Sequence, residues 1–285
     1  MKQLLILSGK GGTGKTTIAS SFIELSKARA FADCDVEAPN LHLLNNNGKI
    51  ENTPYYGMKK AYVNQDACIQ CGLCKMNCKF DAVNYDGLYK IDPFACEGCS
   101  VCEFVCPQNA IVMRSSKDGE MTLYRGKSLF STAELNMGSG NSGKLVIAVK
   151  SRLKGNLSNE ELIIIDGSPG IGCPVIASLS GVDMVLIVTE PSVSGISDME
   201  RIIKTAKIFS VKIAVCINKY DTNIALSRKI ENYVSSLNID FVGKIPYDKL
   251  VTEITNQQKL IVNTDSQASE AIKIIYKNTI EILNV

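Results

Sequence analysis

The chain has 285 residues, 45% of them hydrophobic, with 31 basic and 29 acidic side chains and a net charge of +2. That length and composition suit one large domain or two smaller ones around a real core. The near balance of charge gives no reason to expect nucleic acid or an acidic membrane as partner, and no apolar run is long enough to span a bilayer.

The first residues run from an apolar stretch at 4–7 straight into Ser8-Gly9-Lys10-Gly11-Gly12. With no long apolar region and no small-residue cleavage site, this reads as a buried strand, and a cytoplasmic location is expected. Further strands are expected at 29–33, 162–165, 184–188, 213–217 and 239–243. Helices are expected at 15–27, 197–209, 223–237 and 270–283. Solid apolar strands alternating with helices predict an α/β fold, a doubly wound and mostly parallel sheet. The last helix carries Ile272, Ile275, Tyr276, Ile280 and Leu283 on one stripe, which reads as a packed face.

The rhythm breaks between about Thr53 and Arg125, where cysteines and turn residues concentrate. An insertion explains this best: residues 1–53 and 125–285 form one domain, and 54–124 form a second domain within it.

Gly9-Lys10-Gly11-Gly12-Thr13-Gly14-Lys15-Thr16 fits G-x-x-x-x-G-K-[ST] between an expected strand and an expected helix. Its glycines let backbone N–H groups turn toward phosphate oxygens, and the helix N-terminus adds its dipole. Lys15 is the candidate for the β- and γ-phosphates and Thr16 for Mg²⁺, with Thr17 in the same helical turn. Asp33 and Asp35 close one strand and Asp166 another, where a carboxylate points to the ligand crevice. Asp166, followed by Gly167-Ser168-Pro169-Gly170, reads as the second Mg²⁺ ligand. Asn218-Lys219-Tyr220-Asp221 follows another apolar strand, and Pro246-Tyr247-Asp248 another; both are candidates to meet the base.

Eleven cysteines without a secretion signal favour metal ligation over disulfides. Eight form two runs, Cys68-x-x-Cys71-x-x-Cys74-x-x-x-Cys78 and Cys96-x-x-Cys99-x-x-Cys102-x-x-x-Cys106, offset by 96 − 68 = 28 residues. This is the bacterial ferredoxin ligand pattern, in which the fourth cysteine serves the other cluster. One [4Fe–4S] cluster is therefore assigned to Cys68, Cys71, Cys74 and Cys106, and a second to Cys96, Cys99, Cys102 and Cys78. Pro107 follows Cys106 as the pattern expects, but Lys79 follows Cys78. Cys34 and Cys216 lie in or beside apolar strands and read as core residues. Cys173, close after the second acidic strand end, reads as packing. His42 reads as structural.

Taken together, these motifs resemble the MinD, ParA and nitrogenase iron-protein superfamily of P-loop ATPases, with an inserted two-cluster ferredoxin domain. The stretches Asn141-Ser142-Gly143-Lys144 and Thr189-Glu190-Pro191-Ser192 extend the likeness. The resemblance implies that Lys10 reaches the phosphates of a partner subunit in a nucleotide-sandwich homodimer, and that Asp35 positions the attacking water. It implies that Asn218 reads adenine, with Lys219 and Pro246 beside it, which favours ATP, whereas Asn218-Lys219-Tyr220-Asp221 taken alone matches the N-K-x-D signature of guanine readers. For Cys173 the resemblance implies a bridging ligand as the alternative to packing. The functional expectation is an ATPase coupling nucleotide state to electron transfer toward a redox or metalloenzyme partner. A metallocluster carrier or assembly ATPase of the Mrp type is the alternative, and a membrane- or DNA-positioning ATPase is a third reading that the near-neutral charge fits poorly.

Overall fold

The computed structural model describes residues 1–41 and 48–284; His42 lies outside the described residues. In chain order the elements are β1 (Lys2–Ser8), α1 (Lys15–Ser26), β2 (Ala30–Asp33), β3 (Gly48–Tyr56), β4 (Lys60–Val63), α2 (Leu73–Asn77), β5 (Val83–Tyr85), β6 (Tyr89–Ile91), α3 (Val101–Phe104) and β7 (Ile111–Arg114). There follow β8 (Lys117–Gly126), β9 (Leu129–Leu135), α4 (Ser142–Lys154), β10 (Leu162–Asp166), α5 (Cys173–Leu179), β11 (Met184–Thr189), α6 (Val193–Ile208), β12 (Lys212–Asn218), α7 (Ile224–Ser236), β13 (Asp240–Ile245), α8 (Lys249–Asn256) and α9 (Gln267–Asn284).

The chain divides into two compact units: Met1–Asn52 with Met121–Glu134 and Gly143–Val285, and Thr53–Glu120 with Leu135–Ser142. The first is built on a sheet ordered β13-β12-β11-β1-β10-β2-β9-β8-β3. From β13 to β9 every neighbouring pair is parallel. β1, interior in this order, pairs Leu4 with both Ile164 and Met184.

Leu4, Leu5, Ile6 and Leu7 are all fully buried. Successive strand side chains face opposite sides, so a strand apolar at every position must be covered on both. Each such side chain contributes about 1.5–3 kcal/mol on burial. On one side, Phe22 of α1 meets Tyr276 of α9 edge to face at 5.2 Å. Ile272, Ile275 and Leu283 of α9 are buried in the same core, so the last helix is packed along its apolar stripe.

α6 starts at Val193, four residues before the expected 197. Ser192 caps it by accepting from the Gly195 N–H, which satisfies an orphan donor of the first turn, although Val193 is exposed and the buried large apolar residues begin only at Ile196. Asn223 and Asp248 cap α7 and α8 in the same way. No helix among the described residues is long and apolar enough to cross a membrane.

The second unit holds two small antiparallel sheets, β4 with β7 and β5 with β6. Its 28-residue repeat is visible in the backbone. Left-handed conformations recur at Gln70 and Gly98 (98 − 70 = 28), at Gly72 and Ser100 (100 − 72 = 28), and at Asp81 and Asn109 (109 − 81 = 28). Equivalent turns thus curl both cysteine runs.

Candidate nucleotide site and cysteine cavities

The loop after β1 turns through Gly12 (φ 79°) and Gly14 (φ 89°), left-handed conformations that glycine takes without strain. A Cβ on Gly14 would meet Asn218 Nδ2 at 2.4 Å, and one on Gly9 would meet Asp198 Cβ at 2.1 Å. α1 then begins at Lys15, with no side chain capping its first turn. Its free N–H groups and those of the loop are the donors a phosphate would use.

Lys15 is buried, and its Nζ lies 2.6 Å from Asp166 Oδ1 and 3.9 Å from Asp35 Oδ2. The Thr16 hydroxyl donates to Asp166 Oδ2 at 2.7 Å. Burial works against the Lys15 ammonium, but Asp166, Asp33 and Asp35 outweigh it and raise its pKa. The Thr16 and Asp166 oxygens are hard donors on adjacent strand and helix ends, a set that fits Mg²⁺.

Asp33 accepts from three backbone N–H groups, those of Asp35, Asn40 and Leu41, each at 3.0 Å. It therefore holds the loop on which Asp35 sits. Burial, reinforced by Asp166, pushes Asp33 up to about 7. Burial likewise pushes Asp35 up to about 6, against the pull of Lys15. Gly170 N donates to Ser8 O at 3.0 Å, which ties the segment after β10 to the end of β1.

Asn218 donates from Nδ2 to Thr13 O at 2.8 Å and accepts at Oδ1 from Lys219 N at 3.0 Å. One amide hydrogen and one lone pair remain for a base. Lys219 Nζ lies 2.6 Å from Glu190 Oε1 and 3.3 Å from Gly12 O. Lys10 Nζ lies 3.4 Å from Glu190 Oε2. Lys10 is thus paired within its own chain. Pro246 follows β13, and Tyr247 N donates to Asp221 Oδ1 at 2.7 Å, linking the two stretches expected near a base. Glu190 and Asp198 had no expected role. Glu190 follows the apolar strand β11, and the same strand-end logic that singles out Asp33 and Asp166 would have found it.

In the second unit, Cys68, Cys71, Cys74 and Cys106 line one cavity, walled by Val63, Leu73, Tyr89 and Ile111. Cys78, Cys96, Cys99 and Cys102 line another, with Phe80, Val83 and Met113. Each holds three thiols of one run and the fourth of the other. Among the described residues no three His, Cys, Asp or Glu side chains close on a single-ion site. Four soft thiol donors around an apolar-walled cavity fit an iron–sulfur cluster. The Ala110 N–H donates to Cys106 Sγ at 3.2 Å, an interaction of the kind that tunes such sulfurs. Cys34 and Cys216 are fully buried, and burial pushes both thiols up to about 12. Cys173 is exposed at the start of α5.

Residues 4–261 match the CobQ/CobB/MinD/ParA nucleotide binding domain. The chain belongs to that family. Across 99% of its length and 97% of the relative's, it is 34% identical to the uncharacterized protein MJ0578 of Methanocaldococcus jannaschii. It is 23% identical to the iron-sulfur cluster carrier protein of the same organism, over 98% of this chain and 84% of that one. The cell division ATPase MinD of Pyrococcus furiosus has the same fold, with a TM-score of 0.57, 17% identity and 99% of both chains covered. Family membership thus bears out the nucleotide-binding P-loop domain and its α/β architecture.

Proposed function

We propose that the chain is a Mg²⁺-dependent ATPase that acts as a nucleotide-sandwich homodimer, and that its domain 54–124 carries two [4Fe–4S] clusters whose electron transfer responds to nucleotide state. The observation that carries this reading is the pairing, in one chain of a nucleotide-binding family, of the Lys15–Asp166 site with two four-thiol cavities.

On this reading the amides of Gly9, Gly11, Gly12, Thr13 and Gly14, with the first turn at Lys15, Thr16 and Thr17, cradle the phosphates. Lys15 swings from Asp166 to the β- and γ-phosphates. Thr16 and Asp166 then hold Mg²⁺. Asp35 orients the attacking water and, pushed up to about 6, lies within reach of neutral pH as a proton acceptor. Gly170, without a Cβ and at a left-handed φ of 98°, approaches the γ-phosphate. Asn218, Lys219 and Pro246 surround adenine. Lys10 turns to the partner subunit's phosphates. The clusters supply one-electron carriers, held by Cys68, Cys71, Cys74 and Cys106 and by Cys96, Cys99, Cys102 and Cys78. A redox or metalloenzyme protein, and neither nucleic acid nor membrane, is the partner proposed on grounds of charge.

The test is a reductive titration of anaerobically prepared protein without nucleotide, with ADP and with a non-hydrolysable ATP analogue. A coupling of about 1.4 kcal/mol moves a one-electron potential by roughly 59 mV. Potentials unchanged by the analogue would remove the coupling.

The likeness to an iron-sulfur cluster carrier protein favours a second reading, a metallocluster carrier or assembly ATPase. Loss of iron to an apo-acceptor during ATP turnover would select it; retention of iron would select the first.

A further inference from the structure

Glu190 stands between two lysines and uses one carboxylate oxygen for each. Oε1 takes Lys219 at 2.6 Å and Oε2 takes Lys10 at 3.4 Å. The carboxylate is 17% exposed, whereas the lysine side chains are 36% and 39% exposed. Its backbone is fixed: Glu190 O accepts from Ser192 N at 2.8 Å, and a Cβ on Gly195 would meet that oxygen at 2.4 Å. The anion is therefore the more buried member, on an anchored backbone, and the lysines are the more exposed ones. Lys219 is held a second time, by Gly12 O. Lys10 Nζ has no other partner among the described residues. Its remaining ties are to its backbone carbonyl, which accepts from Ser8 Oγ at 3.0 Å and Thr13 Oγ1 at 3.3 Å.

We propose that Glu190 is a positioning residue: an internal counter-ion that parks the Lys10 ammonium against its own chain until a competing phosphate draws it away. A lysine has one ammonium, which cannot sit on Glu190 and reach a phosphate elsewhere at the same time. Glu190 thereby weakens every state in which Lys10 is engaged elsewhere. Lys219, held twice, keeps the carboxylate compensated after Lys10 leaves. The parking contact stands on the geometry alone; its release by phosphate rests on the nucleotide reading above.

Two measurements separate these layers. The first needs no nucleotide. Lys10 acetylation by acetic anhydride is followed by peptide mass spectrometry in wild type and in Glu190→Gln. Freed of its carboxylate, Lys10 should label about two- to fivefold faster, the range of a partly exposed ion pair, while Lys273 labels at the same rate in both. An unchanged Lys10 rate overturns the proposal whether or not the protein binds ATP. The second is binding of a fluorescent non-hydrolysable ATP analogue in wild type, Glu190→Gln, Lys10→Ala and the double variant. Glu190→Gln should tighten binding about two- to fivefold when Lys10 is present and not when it is alanine. An equal gain in both backgrounds would assign the effect to lost negative charge and overturn the handover. Labelling that rises as expected in a chain that binds no analogue would overturn the nucleotide reading and the handover and leave the parking contact standing.

Discussion

Asp166 and Lys15 meet at 2.6 Å with the carboxylate fully buried and the ammonium nearly so. Removing one member of a buried pair strands the other. Asp166→Ala should cost about 3–5 kcal/mol in urea unfolding, because Lys15 is left without its nearest counter-charge. Asp166→Asn keeps an acceptor for Lys15 and should cost less. Both should abolish Mg²⁺-dependent ATPase activity. Unfolding midpoints equal to wild type in Asp166→Ala would show that Lys15 finds other compensation.

Asp35 gives a separate test in solution. Asp33 and Asp35 have carboxyls raised in the folded chain, to about 7 and about 6. The folded protein therefore binds more protons than the unfolded one between about pH 4 and 7. Nucleotide-free stability should fall as pH rises through that window. Asp35→Asn should flatten the fall and raise the melting temperature at pH 8, measured by calorimetry. The same variant should bind ATP and fail to hydrolyse it. Wild-type turnover in Asp35→Asn would remove Asp35 from the hydrolytic role.

Gly14 carries two constraints at once, a φ of 89° and Asn218 Nδ2 at 2.4 Å from a built Cβ. Gly14→Ala should cost about 1–2 kcal/mol from backbone conformation, with a further loss as Asn218 is pushed from Thr13 O. Nucleotide affinity should fall by more than stability does. Isothermal titration beside thermal unfolding would show this, and unchanged affinity would mean that the loop tolerates the displaced amide.

Lys10→Ala should still bind nucleotide but fail to form a productive dimer. Analytical ultracentrifugation with a non-hydrolysable analogue would report it, and a normal ATPase rate would sink the sandwich arrangement.

The crossed cavities predict which cysteine variants share a phenotype. Cys78→Ala and Cys96→Ala should perturb the same electron paramagnetic resonance signal in the reduced protein, and Cys106→Ala the other. Cys78→Ala grouping with Cys68→Ala would mean that each run closes on itself.

Strands were the more legible part of the first unit. Solid apolar runs marked β1, β10, β11 and β12, because a strand covered on both faces admits little else. α4 and α5 were harder to read. α4 buries only a narrow set, Leu145, Val146, Val149 and Leu153, between charged and small residues, and α5 is only seven residues long. β8 and β9 mix polar and apolar residues without a clean alternation beside the cysteine-rich stretch, so neither period stands out in them. At the site, the loop and the strand-end aspartates were legible because chemistry at that spacing has few other uses. The Glu190 contacts were not, since pairs between Lys10, Lys219 and Glu190 join residues as far as 180 positions apart (190 − 10 = 180).

The crossing of the two cysteine runs has a consequence for assembly. Each half-repeat supplies three thiols to one cavity and the remaining thiol to its neighbour. Neither half can complete a site alone, so a nascent chain released after the first run holds only three donors in place. Both halves must be made and folded before either cavity is whole.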